Sequence, residues 1–300
     1  SPEGQSRALR AAYESAGVRP DTVELVEAHG TGTRVGDATE ATGLATVYGE
    51  TGREGPWCAL GSVKSMIGHT KAAAGAAGLI KAVMALHHKV LPPTIKVETP
   101  NEAVKPGETP FYINTEKRPW LPEGDHPRRA GVSAFGFGGS NFHCVVEEYE
   151  SQATAVDWDG RDQILAFSAE SRDALASTLR EFDAGSVWAE IRGRAAETRE
   201  AFDASHEVRL LMVVQRDGKS PADLITLALA RLEGAQSAWS LPQGVFFGSG
   251  SAKGGWAACF PGQGAQYVGM LRELMCRFPD AADTLAAATE ATPGLVDSLY

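Results

Sequence analysis

Alternating apolar and polar positions predict helices and strands along the first half of the chain. Apolar residues recur at helical spacing over residues 4–16, and Gly17 follows them, which is typical of a helix end. Residues 23–28 alternate between apolar and charged positions, a pattern that predicts a strand. A short apolar run at residues 58–63 predicts a second strand, which should be buried.

Two further helices are predicted, one between these strands and one after them. Asp37 stands before the run Ala38–Tyr48, and Glu40 lies three residues after Asp37, which is the spacing of a capping box. A longer helix is predicted from about Thr70 to His88, with alanine and glycine at most of its first positions. Because a glycine in a helix costs about 1 kcal/mol relative to alanine, we expect this helix to pack closely at the centre of the molecule.

The pattern changes near residue 150. Before that point it predicts a short strand at residues 111–114, an irregular glycine-rich loop at residues 135–141 and a strand at residues 142–149. Residues 151–162 are small and polar, which indicates a linker or a domain boundary. The chain should therefore fold in more than one part.

Beyond the linker the elements alternate in a way that predicts a small α+β module, and a third pattern follows it. The module's predicted strands are at 164–167, 208–214 and 244–247, and its predicted helices are at 170–182 and 220–233. His206 stands alone in the module and is expected at its surface. Residues 257–260 predict another strand, residues 261–264 a tight loop, and helical sequence continues from Met270.

Composition narrows the class of protein. The chain has 300 residues, of which 43% are hydrophobic and 22% charged, which is ordinary for a globular protein. Its formal net charge of -10 argues against nucleic acid or an anionic membrane as the main partner. No apolar run reaches the roughly 18 residues of a membrane helix. Because the chain starts at Ser1 in helix-like sequence and stops at Tyr300, we expect it to be an internal piece of a longer polypeptide.

Cysteine usage favours a reducing compartment. The four cysteines are scattered without the spacing of a metal site: Cys58, Cys144, Cys259 and Cys276. They predict free thiols in a cytosolic protein with no metal centre. Cys58 and Cys144 lie in apolar strand patterns and are expected in the core, and Cys259 also lies in a predicted strand. None of these has the sequence context of a nucleophile.

Candidate chemistry collects where the first two strands end. Residues 29–33 read His-Gly-Thr-Gly-Thr directly after the first strand, and Lys64 and His69 follow the second. Ligands gather at the carboxyl ends of strands in an open α/β sheet. Two imidazoles there could move a proton or stabilise a developing oxyanion. A single strand-end histidine is more often satisfied by backbone, but the pair with a lysine between them favours function.

The glycine-rich loop at residues 135–141 has two interpretations. It could be a structural bulge plugged by aromatic rings, or it could aim a backbone amide at an oxyanion while a phenylalanine gates a channel. No GxGxxG motif or P-loop follows it, which argues against a bound nucleotide. If His29 and His69 serve a nucleophile, that nucleophile is not expected in this chain.

Three motifs, taken in order, resemble the C-terminal half of a β-ketoacyl synthase. They are residues 29–37 (HGTGTRVGD), residues 64–70 (KSMIGHT) and residues 136–141 (GFGGSN). The resemblance runs from residue 1 to about Tyr149. Residues 87–94 (HHKVLPPT) and 111–115 (FYINT) are most similar to polyunsaturated fatty acid synthases and related iterative type I polyketide synthases. The resemblance implies a thiolase-like layered α/β fold, of which this chain holds mostly the second half.

The resemblance implies decarboxylative Claisen condensation of a malonyl thioester with a cysteine-bound acyl chain. His29 and His69 match the two family histidines that promote decarboxylation and stabilise the enolate. Lys64 matches the lysine that supports the second histidine. Thr31 and Thr33 match the pair that binds the phosphopantetheine arm.

The resemblance also implies roles for the glycine-rich loop and for partner molecules. Phe137 matches a gating phenylalanine whose amide contributes to the oxyanion hole, and Gly138 lies in the same segment. The nucleophilic cysteine should lie before Ser1, so that this chain alone should be inactive. The substrate would be carried on the 4′-phosphopantetheine of an acyl carrier protein, with no cofactor bound directly. A ketosynthase homodimer is expected in the intact protein.

The later segments resemble the parts that follow a ketosynthase in such synthases. The domains implied are a ketosynthase half at 1–149, a ketosynthase–acyltransferase linker at 150–255 and the start of an acyltransferase at 256–300. Gln263 matches a glutamine close to the acyltransferase oxyanion hole. The alternative to a catalytic role is a chain-length-factor-like half that acts as a structural and dimer partner, and the presence of both His29 and His69 favours the enzyme.

Overall fold

The structure is a computed structural model that describes residues 1–105, 107–121, 123–149, 160–183, 185–250 and 257–300. The chain divides into two units, one made of Ser1–Val156 with Gly262–Tyr300 and the other of Asp157–Pro261. The predicted domain boundaries at residues 150 and 255–256 lie outside the described residues.

The helices are α1 (Pro2–Ala16), α2 (Arg34–Gly49), α3 (Lys64–Ile67), α4 (Ala74–His88), α5 (Arg172–Glu181), α6 (Trp188–Glu200), α7 (Pro221–Leu232), α8 (Arg272–Met275), α9 (Pro279–Ala291) and α10 (Leu295–Leu299). The strands are β1 (Leu25–Glu27), β2 (Cys58–Gly61), β3 (Val90–Leu91), β4 (Phe111–Tyr112), β5 (Arg118–Pro119), β6 (Arg129–Phe135), β7 (Asn141–Glu147), β8 (Asp162–Ala169), β9 (Val208–Gln215), β10 (Ala238–Leu241) and β11 (Val245–Ser249).

The first unit is built on a five-stranded sheet in the order β4-β2-β1-β6-β7. Strands β4, β2, β1 and β6 run parallel, and β7 pairs antiparallel with β6. Val26 pairs with Leu60 on one side and with Gly131 on the other. The carboxyl ends of β1 and β2 therefore meet at one edge of the sheet, as the positions of the candidate residues require.

Side chains alternate between two cores along β1. Val26 packs with Leu9 of α1 and Leu44 of α2 on one face of the sheet. Leu25 packs with Ala82 and other residues of α4 on the opposite face. Successive strand residues point to opposite faces, so a strand with both faces buried carries apolar residues at adjacent positions.

Helix α4 confirms the predicted close packing on one face only. Ala82 is fully buried on the sheet, and a Cβ added to Gly78 would lie 2.9 Å from Cγ of Glu27, which explains the glycine. On the other face Ile80 is 64% exposed and Met84 47% exposed. The described residues therefore leave one face of the helix uncovered, contrary to the predicted central position.

The start of α2 differs from the prediction. The helix begins at Arg34 rather than at Ala38, so that Asp37 lies in its first turn and is not the N-cap. The capping-box prediction for Asp37 and Glu40 is therefore wrong. Both carboxylates turn back towards the loop after β1, where they accept backbone hydrogen bonds.

The hairpin of β6 and β7 shortens the predicted glycine-rich loop. Strand β6 continues to Phe135, and the turn that remains contains a short 3-10 segment at Phe137–Gly139. Cys58 is buried as predicted, but Cys144 is exposed, so its predicted place in the core is wrong. The reason is that successive strand residues point to opposite faces, and it is the neighbouring His143 that points inward to Ser133 and Tyr13.

A chain of buried side chains ties this hairpin to α1 and α2. The imidazole of His143 lies 3.0 Å from Oγ of Ser133 and 3.0 Å from Oη of Tyr13. The Tyr13 hydroxyl lies 2.6 Å from that of Tyr48. Burial lowers the pKa of His143 to about 4, so the ring is neutral near pH 7.

Residues 262–300 belong to the first unit. Lys117 forms an ion pair with Glu273 of α8 at 2.6 Å, and Arg272 forms another with Glu116. Residues 257–260 do not form the predicted strand, whereas the helical sequence predicted from Met270 is present as α8, α9 and α10.

The second unit is an antiparallel sheet in the order β10-β11-β9-β8 with three helices. Leu210 and Met212 of β9 point into a core shared with Leu175 of α5 and Leu224 of α7. The predicted strands and helices of this α+β module are present, and α6 and β10 are additional. His206 contacts Oγ of Ser168 at 3.0 Å.

None of the helices in the described parts of the chain combines the length and apolar character needed to span a bilayer.

Candidate active site

The loops that follow β1 and β2 bring the predicted residues together. Glu27 and Gly61, the last residues of the two strands, are paired in register. His29 therefore lies two residues beyond one strand end, and Lys64 lies three residues beyond the other in α3. His69 follows α3 directly after Gly68, whose φ of 75° is readily adopted by glycine.

His29 and His69 are partners in space, as predicted. Their ring centroids lie 5.6 Å apart with the planes at 86°. His69 is exposed, and its Nδ1 accepts a hydrogen bond from the backbone N–H of Lys71 at 3.0 Å. A neutral His69 ring therefore carries its proton on Nε2, which leaves that nitrogen as a hydrogen-bond donor.

His29 is held as a neutral imidazole. Burial, followed by the nearby Lys64 and His69, lowers its pKa to about 4. Its Nδ1 is buried and has no hydrogen-bond partner among the described residues. A buried polar atom without a partner is uncommon in a protein interior, so the Nδ1 of His29 is not satisfied by backbone as that of a structural strand-end histidine would be.

Glu40 fixes the backbone on which His29 stands. Its two oxygens accept the N–H groups of His29 and Gly30, each at 2.8 Å. Burial raises the pKa of this carboxyl to about 7. Sequence reasoning assigned Glu40 to a helix cap, because the pattern gives spacing along the chain and not the direction in which a side chain folds back.

Asp37 and the two predicted threonines continue this arrangement. Asp37 accepts the backbone N–H of Thr31 at 3.1 Å, and the hydroxyls of Thr31 and Thr33 lie 3.0 Å apart. A Cβ at Gly36 would approach Oγ1 of Thr33 to 2.4 Å. The glycine thus leaves room for the threonine pair on the loop.

Lys64 lies half-buried between these groups. Burial lowers the pKa of its ammonium, while the carboxylates of Glu27, Glu40 and Asp37 act in the opposite direction. Its backbone N–H donates to Oγ of Ser62 at 3.4 Å. The ammonium therefore supplies positive charge beside the two imidazoles.

A cleft of about 340 Å³ opens at this edge of the sheet. Thr31, Lys64 and His69 are among the residues that line it, together with Thr94 and Lys96 from the segment after β3. No cysteine is among the described residues of its lining. The cleft can bind a small polar group against His69 and Lys64, but it does not supply a thiol nucleophile.

The aromatic ring at the site is Phe135. Its centroid lies 5.8 Å from that of His29. Phe137 is in the turn after β6, and its side chain is outside what the structure describes. Gly138 has a φ of 79° in the same turn. The roles of Phe137 and Gly138 stay predictions, and Phe135 was missed because the sequence pattern placed it in the loop.

Gln263 is exposed in the turn after Pro261 and is not among the residues that line the cleft. Its role stays a prediction. Within the described residues, no group of three or more histidine, cysteine, aspartate or glutamate side chains is arranged to bind a metal ion.

Two protein families match the chain. Residues 1–98 match the β-ketoacyl synthase C-terminal domain, and residues 100–216 match the ketoacyl-synthetase C-terminal extension. The first match contains His29, Lys64 and His69. The second begins within the first unit and ends at β9 and the turn after it.

Similar proteins include synthases of two kinds. A polyunsaturated fatty acid synthase of Thraustochytrium is 40% identical over 96% of this chain and 11% of its own length. The polyketide synthase GfsB of Streptomyces halstedii is 37% identical over 98% of this chain and 6% of its own length. This chain thus spans about a tenth or less of these relatives.

Solved structures of ketosynthases also match the chain. A ketosynthase from module 6 of the bacillaene synthase of Bacillus subtilis is 31% identical, with a TM-score of 0.49. The match covers 83% of this chain and 41% of that one.

Proposed function

Because residues 1–216 of this chain belong to the β-ketoacyl synthase family, we propose that His29 and His69 promote decarboxylation of a malonyl thioester and stabilise the enolate that results. The observation that supports this proposal is the pair of imidazoles 5.6 Å apart at one sheet edge, with Lys64 nearby at the start of α3. A single charged or polar group at a strand end would not be sufficient support for this proposal.

The proposed reaction uses the imidazoles as hydrogen-bond donors. Loss of CO₂ from the malonyl thioester leaves a carbanion whose negative charge is shared with the thioester oxygen. Neutral His29 and the Nε2–H of His69 can donate to this oxygen, and donors placed in advance stabilise the developing charge. The carbanion then forms a C–C bond with an acyl thioester, whose C–S bond breaks as the cysteine thiolate leaves.

The cysteine of this proposal comes from outside the 300 residues. None of the described cysteines lines the cleft, and burial raises the pKa of the Cys58 thiol, which makes it a poor nucleophile. We therefore assign to this chain the malonyl half of the reaction. On its own it should neither be acylated nor condense two substrates.

The same site is also proposed to bind the phosphopantetheine arm that carries the substrate. Thr31 and Thr33 present adjacent hydroxyls on the loop that carries His29, and Thr31 lines the cleft. They can bind the amide groups of a phosphopantetheine arm, so an acyl carrier protein is the proposed partner. Lys64 would keep positive charge beside the enolate.

The exposed apolar face of α4 supports the layered arrangement that the family resemblance implies. Ile80, Val83 and Met84 are each about half exposed or more on this face. A second α/β half that packs here would bury them and complete a thiolase-like fold. A homodimer of the intact ketosynthase is part of the same proposal.

The remaining segments receive proposals of their own. We assign residues 150–255 to a ketosynthase–acyltransferase linker and residues 256–300 to the start of an acyltransferase, with Gln263 near its oxyanion hole. Polyunsaturated fatty acid or polyketide synthesis is the proposed setting, since relatives at 37–40% identity carry both names. A cytoplasmic location is proposed with it.

The test uses the full-length protein with His29→Ala, His69→Ala and, as a matched control, His206→Ala in the second unit. The first two variants should lose malonyl decarboxylation by about 100-fold or more, as expected when a preorganised donor is removed, while the cysteine is still acylated by an acyl thioester. His206→Ala should change neither step. Wild-type decarboxylation in either His29→Ala or His69→Ala would contradict the proposal.

A further inference from the structure

A buried ion pair lies directly beneath the proposed site. Glu27, the last residue of β1, is 1% exposed. Its Oε2 contacts Nζ of Lys81 on α4 at 2.8 Å, and the Lys81 side chain is only 11% exposed. Removing two charges from water is costly, and a buried pair often stabilises a fold no better than well-packed apolar residues do. Its presence here therefore needs a reason besides stability.

Contacts of Glu27 reach the residue before α3, the helix that carries Lys64, and also α4. Its backbone is two residues before His29. Its Oε1 accepts the N–H of Val63, the residue before Lys64, at 2.5 Å. Its partner Lys81 is on α4, which follows His69 in the chain.

The surroundings leave little room for this pair to move. A Cβ added to Gly78 would lie 2.9 Å from Cγ of Glu27, and a Cβ added to Gly61 would lie 3.4 Å from Nζ of Lys81. Val63 in turn accepts the N–H of Met66 at 2.9 Å and that of Ile67 at 3.1 Å, which closes the turn of α3. A shift of Glu27 would therefore move the whole turn that carries Lys64.

We propose that Glu27 is a positioning residue: through its ion pair with Lys81 and its bond to Val63, it sets where Lys64 and His69 lie relative to His29. This inference rests on the proposed function, because it assigns Glu27 a task in the decarboxylation step. Glu27 lines no part of the cleft and is not proposed to touch substrate.

Charge provides a second line of evidence. The groups that face Lys64 are Glu27 from β1, Glu40 and Asp37 from α2, and His29 from the loop after β1. Each of these carboxylates favours the charged ammonium. Loss of the Glu27 charge should therefore lower the pKa of Lys64, and the ammonium should lose its proton at a lower pH than in the wild type.

The experiment compares Glu27→Gln, Lys81→Met and the double variant Glu27→Gln/Lys81→Gln in the full-length protein. The matched control is Glu148→Gln, because the Arg128–Glu148 pair at 2.7 Å is also largely buried but contacts none of the three site residues. Malonyl decarboxylation, cysteine acylation, thermal unfolding and the pH profile of decarboxylation are measured for each.

Both single variants should lower decarboxylation by about 100-fold, the scale of a misplacement of about 1 Å, with acylation within about twofold of the wild type. In Glu27→Gln the alkaline limb of the pH profile should move to lower pH. The double variant replaces the ion pair with two neutral amides and should recover part of the lost rate. Glu148→Gln should change unfolding without changing the ratio of the two steps.

The proposal is overturned if Glu27→Gln and Glu148→Gln lower both steps alike in proportion to the folded fraction, because Glu27 would then be a structural residue only. It is also overturned if the pH profile of Glu27→Gln matches the wild type. If either His29→Ala or His69→Ala keeps wild-type decarboxylation, the proposed function fails instead. An unaffected Glu27→Gln beside an inactive His29→Ala rejects this inference alone.

Discussion

The two units differ in what they bury. The first unit buries charged residues, namely Glu24, Glu27, Glu40 and Arg128. In the described part of the second unit the buried polar residues are Gln163 and Thr198, neither of which is charged. Burying a charge costs several kcal/mol unless it is paired and hydrogen-bonded. Two of these charges, Glu27 and Glu40, lie where β1 ends, beside the proposed chemistry, whereas Glu24 and Arg128 precede β1 and β6.

Sheet topology explains why, among the described residues, the candidate site residues come together in the first unit. In the first unit, β1 and β2 are parallel, so the loops after them leave at the same edge. In the second unit, β8, β9 and β11 pair antiparallel, so successive strands end at opposite edges. The second unit can build a stable apolar core, but its topology does not bring the loops that follow successive strands together. The contrast predicts different responses to substitution.

The largest expected effect is on the apolar core of the second unit. Leu210 is fully buried among Leu175, Met212 and Leu224. Leu210→Ala should lower the free energy of unfolding by about 2–5 kcal/mol, because it removes transfer free energy and leaves a cavity. Chemical denaturation of the chain measures this loss.

In the full-length protein the same Leu210→Ala variant should leave malonyl decarboxylation per folded molecule unchanged. A fall in that rate would show that the second unit takes part in the chemistry, and the contrast between the units would fail. Ile164→Ala is the matched control, since Ile164 is on the same sheet but 44% exposed, and it should cost much less.

The next effect is on a buried charge of the first unit. Glu40→Gln leaves one acceptor oxygen for the two backbone N–H groups of His29 and Gly30, and the new amide N–H₂ faces the other. A buried donor without an acceptor costs about 1–3 kcal/mol, so decarboxylation should fall by about 10- to 100-fold as His29 is displaced.

Stability should change less than activity in Glu40→Gln, because burial raises the pKa of this carboxyl and the amide removes that penalty. Steady-state decarboxylation and denaturation are measured on the same preparation. Gln163→Leu in the second unit is the comparison and should leave decarboxylation per folded molecule unchanged. Equal losses of activity and stability in Glu40→Gln would contradict a role in placing His29.

The sequence was sufficient to locate β1 and β2 and to predict the pairing of His29 with His69, but it did not predict α6 or β10. Strand patterns at residues 23–28 and 58–63 located β1 and β2, and the parallel sheet then placed the residues after them together. Alternating apolar positions identify a strand because the side chains of successive strand residues point to opposite faces. The positions of the glycine residues indicated where the chain turns between these elements.

The direction in which a side chain points could not be predicted from the sequence. Glu40 fits a capping box by spacing, yet its carboxylate reaches His29 because α2 begins earlier than the pattern indicated. Cys144 fits a buried strand by pattern, yet its neighbour in β7 is the residue that points inward. Glu27 looks like the polar position of an amphipathic strand, and only the fold shows that Lys81 is opposite it. These errors have one cause. Contacts with residues distant in the chain decide which side chains are buried, and the local sequence pattern does not show those contacts.

A smaller effect is expected from pH, through a buried imidazole of the first unit. The pKa of His143 is lowered to about 4 in the fold, whereas an unfolded chain has about 6.5. Between these values the unfolded state binds more protons, so the stability contributed by neutral His143 is present above about pH 6.5 and is lost as pH falls towards 4.

The measurement compares unfolding of the wild type and His143→Gln between pH 4.5 and 7. Because other titrating groups cancel in the difference, the wild type should gain about 1 kcal/mol per pH unit relative to the variant. Parallel curves would show that folding does not lower the pKa of His143, which would contradict a ring held neutral by burial.

The smallest effect should come from an exposed ion pair of the second unit. Arg161 contacts Asp217 with side chains 76% and 69% exposed, so water screens the attraction and little is lost when it breaks. Asp217→Ala should change the free energy of unfolding by about 0.5 kcal/mol or less. Glu148→Gln instead leaves the buried Arg128 without its carboxylate and should cost several times more than Asp217→Ala. Denaturation of both variants in low and high salt separates the pairs, because salt should erase only the small effect at Asp217. Equal losses in the two variants would mean that burial of charge does not distinguish the units.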